Sequence, residues 1–194
     1  MKVLILGGNG VLGTELQKCG DVIALGRSEC NVMDSDSVFD AVMSHNADIV
    51  INCAAVIDNR VIETISTHAV SVNIIGAANV SNVCNSLGIR YVYISTDYLY
   101  QGDRGNYKET DPNKPFNLYA WTKLGGECSA VAVQNHLIIR TSFGSDIFPY
   151  KQAFVDKWSS KDYVSVIAPM IYEAAISPIT GFLNIGTERK TLYD

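Results

Sequence analysis

The chain has 194 residues, 47% hydrophobic and 18% charged, with a formal net charge of −5, which suits one well-cored domain with at most a small appendage. No apolar run reaches the length of about eighteen residues that spans a bilayer, and no lysine or arginine cluster offers a footprint for nucleic acid, so neither partner is expected. The five cysteines form no CxxC pair and the three histidines lie far apart, which argues against a disulfide framework and leaves no metal site.

In chain order, a short apolar run at 2–6 is too short for a secretory signal and leads straight into Gly7-Gly8-Asn9-Gly10-Val11-Leu12-Gly13. The protein is therefore expected in the cytoplasm. Read from Gly8 the glycines fit GxGxxG; read from Gly7 they fit GxxGxxG. Either spacing, placed between a strand and the helix expected at 11–19, marks a dinucleotide site: the turn needs positive φ and the backbone must approach a pyrophosphate closely.

The second strand, at 22–25, ends in "ALGRSE". Chains that bind NAD tend to place an acidic residue at this end for the ribose 2′-hydroxyl, whereas Arg27 is a fixed cation suited to a 2′-phosphate. NADP is favoured and NAD is the alternative; a solvated arginine beside Glu29 is the bland reading. A helix at 35–45 follows, then a third strand at 48–52 that ends in Asn52-Cys53-Ala54-Ala55. The small side chains of Cys53, Ala54 and Ala55 leave room for a nicotinamide ribose over the carboxyl ends of the strands, although small core packing would look the same.

A helix at 67–87, with Gly88 as its C-cap, leads to a fourth strand at 91–95 that runs into Ser95-Thr96-Asp97. Side chains alternate along a strand, so only one of Ser95 and Thr96 can face a given pocket. The polar stretch 100–117 reads as a long loop, of the kind that is functional or mobile. The helix expected at 118–134 carries Tyr119 and Lys123, which i,i+4 spacing puts on one face. A nearby ammonium and a nicotinium charge would favour the phenolate, so the tyrosine could protonate a carbonyl oxygen while a hydroxyl from Thr96 or Ser95 holds that oxygen. A strand at 137–140 closes the regular pattern; two short helices and a late strand at 181–187 are expected beyond it.

Short strands apolar on both faces, each followed by a helix, predict an α/β fold, a Rossmann-type doubly wound parallel sheet. The expected division is a dinucleotide-binding domain at 1–144 and a short C-terminal substrate-region remnant at 145–194, packed on the same domain.

The segments "GGNGVLG", "NCAA", "VNIIGAANV", "YISTDYLYQG", "YAWTKLGGE" and "IIRTSFG" resemble, in this order, an extended short-chain dehydrogenase/reductase of the dTDP-4-dehydrorhamnose reductase branch. The resemblance covers residues 1 to about 144. It implies Thr96 as the catalytic hydroxyl, Tyr119 as acid/base, and Lys123 as the residue that tunes Tyr119 and contacts the nicotinamide ribose. Gly7, Gly10, Val11 and Leu12 would line the pyrophosphate, and Asn31 and Val32 would lie near the adenine. The implied activity is NADPH-dependent reduction of a nucleotide-linked 4-keto-6-deoxy sugar. Beyond Arg140 the chain is much shorter than the family's sugar-binding half and lacks its Asp-Gln-x-Gly-x-Pro-Thr stretch. Two other readings stand beside the reductase: a nucleotide-sugar epimerase or dehydratase, and a non-catalytic NADP-binding regulatory subunit. The helices at 67–87 and 118–134 correspond to those that pair in relatives, so a homodimer is expected.

Overall fold

The computed structural model describes residues 1–147, 151–191 and 193, with side chains described for all but 59–61. The element order is β1 (Val3–Leu6), α1 (Val11–Leu16), β2 (Val22–Leu25), α2 (Ser35–His45), β3 (Ile49–Asn52), α3 (Asn59–Thr64), α4 (Ser66–Val70), a π-helical segment (Ser71–Gly76) and α5 (Ala77–Leu87). Then come β4 (Arg90–Thr96), a 3₁₀ turn (Asp97–Leu99), α6 (Leu118–Ala130), β5 (His136–Thr141), β6 (Phe143–Gly144), β7 (Trp158–Ser159), β8 (Asp162–Tyr163), α7 (Val164–Ile176), β9 (Gly181–Ile185) and β10 (Lys190–Thr191).

Six strands form one parallel sheet in the order β2-β1-β3-β4-β5-β9. The alternation inside each strand explains why these runs are apolar throughout. Leu4, Leu6, Val50, Tyr91, Tyr93 and Ile138 feed a core shared with Val38, Val80 and Ala130 of α2, α5 and α6. Val3, Ile5, Ile51, Val92 and Ile139 feed another, shared with Leu12 and Leu16 of α1 and Ile167 and Ile171 of α7. Helices thus cover both faces, and the fold is the doubly wound one the pattern predicts. Because β1 lies between β2 and β3, the chain reverses its direction of winding there, and the carboxyl ends of β1 and β3 flank the crevice where such sheets bind ligands.

Two stretches differ from expectation. The helix expected at 67–87 begins at Ser66 and widens into a π segment around Asn73. The Asn73 amide, 1% exposed, is the cause: its oxygen accepts from the Val56 N–H at 2.8 Å, and its nitrogen donates to the Val56 carbonyl and the Thr122 hydroxyl, each at 2.9 Å. Satisfying that buried amide fixes the local register of the helix. In the C-terminal part, the expected pair of short helices is instead the single helix α7, preceded by the short strands β7 and β8; residues 148–150 of that expectation lie outside the described residues. Pro169 lies inside α7 without ending it, because Ile167, Ala168, Ile171, Ala174 and Ala175 are buried along its length and hold both halves in one groove. The late strand is present as β9, paired in parallel with β5.

Candidate active site

The turn after β1 is built around Gly7. Its φ is +80°, and a Cβ there would lie 2.8 Å from the Ala54 nitrogen, so only glycine lets the end of β1 meet the end of β3. The N–H groups of Gly7 and Gly8 both donate to the Leu25 carbonyl, at 3.0 and 2.8 Å, which pins the turn to β2. The first helical bond of α1 runs from Thr14 N to Gly10 O at 2.9 Å, so Val11 and Leu12 sit in the opening turn of the helix. The Gln17 amide, which the sequence reading missed, donates to the carbonyls of Gly8 and Gly13 at 3.0 and 3.1 Å and braces the loop from within.

At the end of β2 the two charges part. Glu29 turns back to accept from Gly26 N at 2.9 Å, while Arg27 stays exposed. Asn31 is half-buried and Val32 is buried; the Val32 carbonyl accepts from Asn79 at 3.0 Å. Cys53, Ala54 and Ala55 are half-buried at the end of β3, with Ala54 N donating to the Asn52 side chain at 3.1 Å. Burial pushes the Cys53 thiol up to about 12 against the opposing charge of Lys123.

The far side of the crevice is set by α6. Asn117 caps it, its side chain accepting from Ala120 N at 2.8 Å, and so fixes where Tyr119 enters the helix. Gly126 lets α6 sit flat on the sheet, since a Cβ there would lie 2.1 Å from the Tyr93 hydroxyl. Tyr119 packs edge-on to Tyr98, with ring centroids 6.2 Å apart, which places its phenol beside Thr96. The Thr96 oxygen also accepts from Tyr98 N at 3.2 Å. Ser95 is buried with no hydrogen-bond partner for its hydroxyl among the described residues, and of the two candidates Thr96 is the one beside Tyr119.

Burial pushes the Tyr119 phenol up, to about 12, with Thr96 opposing it. Lys123, 2% exposed, lays its Nζ 4.2 Å above the ring of Tyr93, and burial lowers it to about 7 while Glu127 and Cys53 pull it back up. The sequence placed phenol and amine on one helix face; the structure turns the amine toward the sheet.

Two further features went unread in the sequence. Asp97, next to Thr96, has its carboxyl raised to about 6 by burial, against hydrogen bonds from Thr96 and Ser142 and the charge of Lys161. Glu127, one turn beyond Lys123, forms a two-point ion pair with Arg140 of β5, at 2.9 and 2.8 Å, with both side chains 3% exposed. Its signal was the i+4, i+8 continuation of the Tyr119 face. Thr96, Tyr119, Lys123, Cys53 and Ala54 thus gather at one end of the crevice, Gly7 meets Ala54 across it, and Arg27, Asn31 and Val32 stand on the β2 side.

A family model described as the RmlD substrate binding domain matches residues 1–169. A dTDP-4-dehydrorhamnose reductase of Streptomyces griseus is 33% identical over 148 residues, covering 72% of this chain and 49% of its own. The methionine adenosyltransferase 2 subunit beta of Bos taurus is 31% identical over an alignment of 233 residues, which takes in all of this chain and 69% of that one. Among solved structures, a dTDP-4-dehydrorhamnose reductase from Bacillus anthracis in complex with NADP superposes with a TM-score of 0.89 at 27% identity, over 98% of this chain and 76% of that one. The chain spans about half the length of the reductases of known sequence that it matches.

Proposed function

Since the chain belongs to the RmlD substrate binding domain family, we propose that it is an NADP-dependent reductase of a nucleotide-linked 4-keto-6-deoxy sugar. The observation that carries this reading is the placing of the Tyr119 phenol, on α6, beside Thr96 at the carboxyl end of β4. The residues present fit a nicotinamide dinucleotide: the Gly7 backbone lies open where any side chain would strike Ala54. Gly7, Gly10, Val11 and Leu12 would hold its pyrophosphate, Asn31 and Val32 the adenine side, Arg27 the 2′-phosphate, and Cys53, Ala54 and Ala55 the nicotinamide ribose. When bound, that group supplies hydride and, once oxidised, a fixed positive charge.

Thr96 donates to the sugar's keto oxygen, and Tyr119 delivers the proton that turns it into a hydroxyl. Lys123 holds ribose hydroxyls and adds its charge when protonated. From about 12, bringing the phenol to neutral pH takes roughly 7 kcal/mol at about 1.4 kcal/mol per unit. The raised phenol is thus protonated at neutral pH, as the reductive direction requires, and the positive charge of the oxidised group and of Lys123 would oppose the burial that resists release of its proton. In this reading residues 1–144 bind the dinucleotide and 145–194 face the sugar. We place the protein in the cytoplasm as a homodimer.

A second reading is favoured by one finding: the match to the methionine adenosyltransferase beta subunit takes in the whole chain. It makes the protein an NADP-binding regulatory subunit. NADPH oxidation against a panel of nucleotide-linked 4-keto-6-deoxy sugars, run beside NADH, separates the two. Turnover that vanishes in Tyr119→Phe supports the reductase; tight NADPH binding with no turnover on any sugar supports the regulatory subunit.

A further inference from the structure

Tyr119, Lys123 and Glu127 follow one another at four-residue spacing along α6, and Lys123 and Glu127 are each 2% exposed. A buried amine with a carboxylate one turn away would ordinarily pair with it. Here Glu127 is turned to Arg140 instead, whose Nε and Nη2 each take one carboxylate oxygen. Arg140 is not free to leave. Its Nη1 donates to the Tyr100 hydroxyl at 3.0 Å and the Glu109 carbonyl at 3.4 Å, and its guanidinium lies 4.8 Å from the Phe182 ring centroid. The Tyr100 hydroxyl in turn donates to Asn184 of β9 at 2.9 Å, whose own N–H donates to the Glu109 carboxylate at 2.8 Å. The loop at 100–117 and the edge strand therefore fasten the guanidinium, and the guanidinium fastens Glu127.

We propose that Arg140 and Glu127 are positioning residues for Lys123: the ion pair keeps the carboxylate close enough to support the ammonium but too occupied to capture it. The amine is then left over the Tyr93 ring, within reach of Cys53 at the end of β3. The groups around it are Glu127 on its own helix, Cys53 at the end of β3, Tyr93 on β4 and, through Glu127, Arg140 on β5. Removing Glu127 leaves burial and the Arg140 charge to oppose protonation; removing Arg140 frees a carboxylate to seize Lys123. The two changes act on the amine in opposite directions, which a general loosening of the fold does not do.

The proposal rests on the reductase reading for the use of the amine, but not for its test, which needs neither nucleotide nor sugar. In protein carrying ¹³C-labelled lysine, the Lys123 resonance is identified by its loss in Lys123→Met and titrated with pH. The expected result is a midpoint lowered by about one unit, a tenfold change in the protonation constant, in Glu127→Gln and raised by a similar amount in Arg140→Met. Arg140→Lys, which keeps the charge without the fork, should fall between wild type and Arg140→Met. Midpoints that stay put, or move the same way in both variants, overturn the proposal. If Glu127→Gln fails to fold, Glu127→Asp must still change the midpoint downward, and an unchanged or raised value there overturns it as well. Absence of sugar turnover with opposite midpoint shifts would sink the reductase reading and leave this one standing.

Discussion

The two walls of the crevice are held by different physics. On the β1 side the constraint is steric: Gly7 has positive φ and no room for a Cβ, and its turn is bolted to Leu25 by two backbone bonds. On the α6 side the constraint is electrostatic: a phenol pushed up to about 12 and an amine pushed down to about 7 lie on adjacent turns of one helix, each with its own neighbours. A steric wall depends on few residues and announces itself in their identity. An electrostatic wall depends on how far each charged atom is from water and from the next, which residue types alone do not specify.

The sharpest way to break the comparison is at the phenol. Tyr119→Phe removes the phenol proposed as proton donor while leaving the glycine turn untouched, so kcat should fall about 10³-fold, or ~4 kcal/mol, with NADPH affinity within about twofold of wild type. Steady-state kinetics beside fluorescence titration of NADPH checks both halves. A parallel loss of affinity would mean that the two walls are not separable. Gly7→Ala probes the other wall. The added methyl meets backbone atoms of Ala54 at a φ that L-residues avoid, so the fold should lose about 3 kcal/mol along with NADPH binding. Urea unfolding measures the first and the same titration the second.

That division also marks what could be read in advance. Five strands, the helix at 35–45 and the parallel order follow from apolar runs bounded by Gly, Asn and Asp, because a sheet covered on both faces accepts little else. Gly7 was legible as the first glycine of one of two possible spacings, although the spacing alone does not choose between them. Thr96 could not be told from Ser95 by alternation alone, since alternation says that they differ and not which one faces α6. The π segment at Asn73 and the Arg140–Glu127 pair were invisible, because each is made by residues distant in sequence that meet only once the sheet has formed. Helix α7 runs through Pro169, a local stop signal that burial on both sides of it overrides.

Arg27 lies between the two regimes: exposed at the end of β2, with the neighbouring Glu29 folded onto Gly26. Its contribution to dinucleotide choice should be a surface one, near ~1.4 kcal/mol. Arg27→Ser should therefore lower the preference for NADPH over NADH about tenfold, read as the ratio of the two dissociation constants. No change in that ratio would assign Arg27 to the solvent.

The smallest expected effect concerns stability and sharpens the electrostatic wall. Lys123 has its folded value lowered from 10.5 to about 7, first by burial. Between those two values the unfolded chain holds more protons than the folded one, so this group makes stability rise with pH across that window. Below about pH 7 the amine is charged in both states and its burial costs the fold the full amount; above about 10.5 it is neutral in both and the cost is gone. Lys123→Met keeps the chain's bulk without the charge, while Glu127 retains Arg140 as its partner. The variant should melt higher than wild type at pH 6, by at least about 1 kcal/mol or 3 °C for a chain of this size, and the gap should shrink steadily toward pH 10. Calorimetry at the two pH values gives the comparison. A gap of the same size at both would show that packing, and not the buried charge, sets the difference.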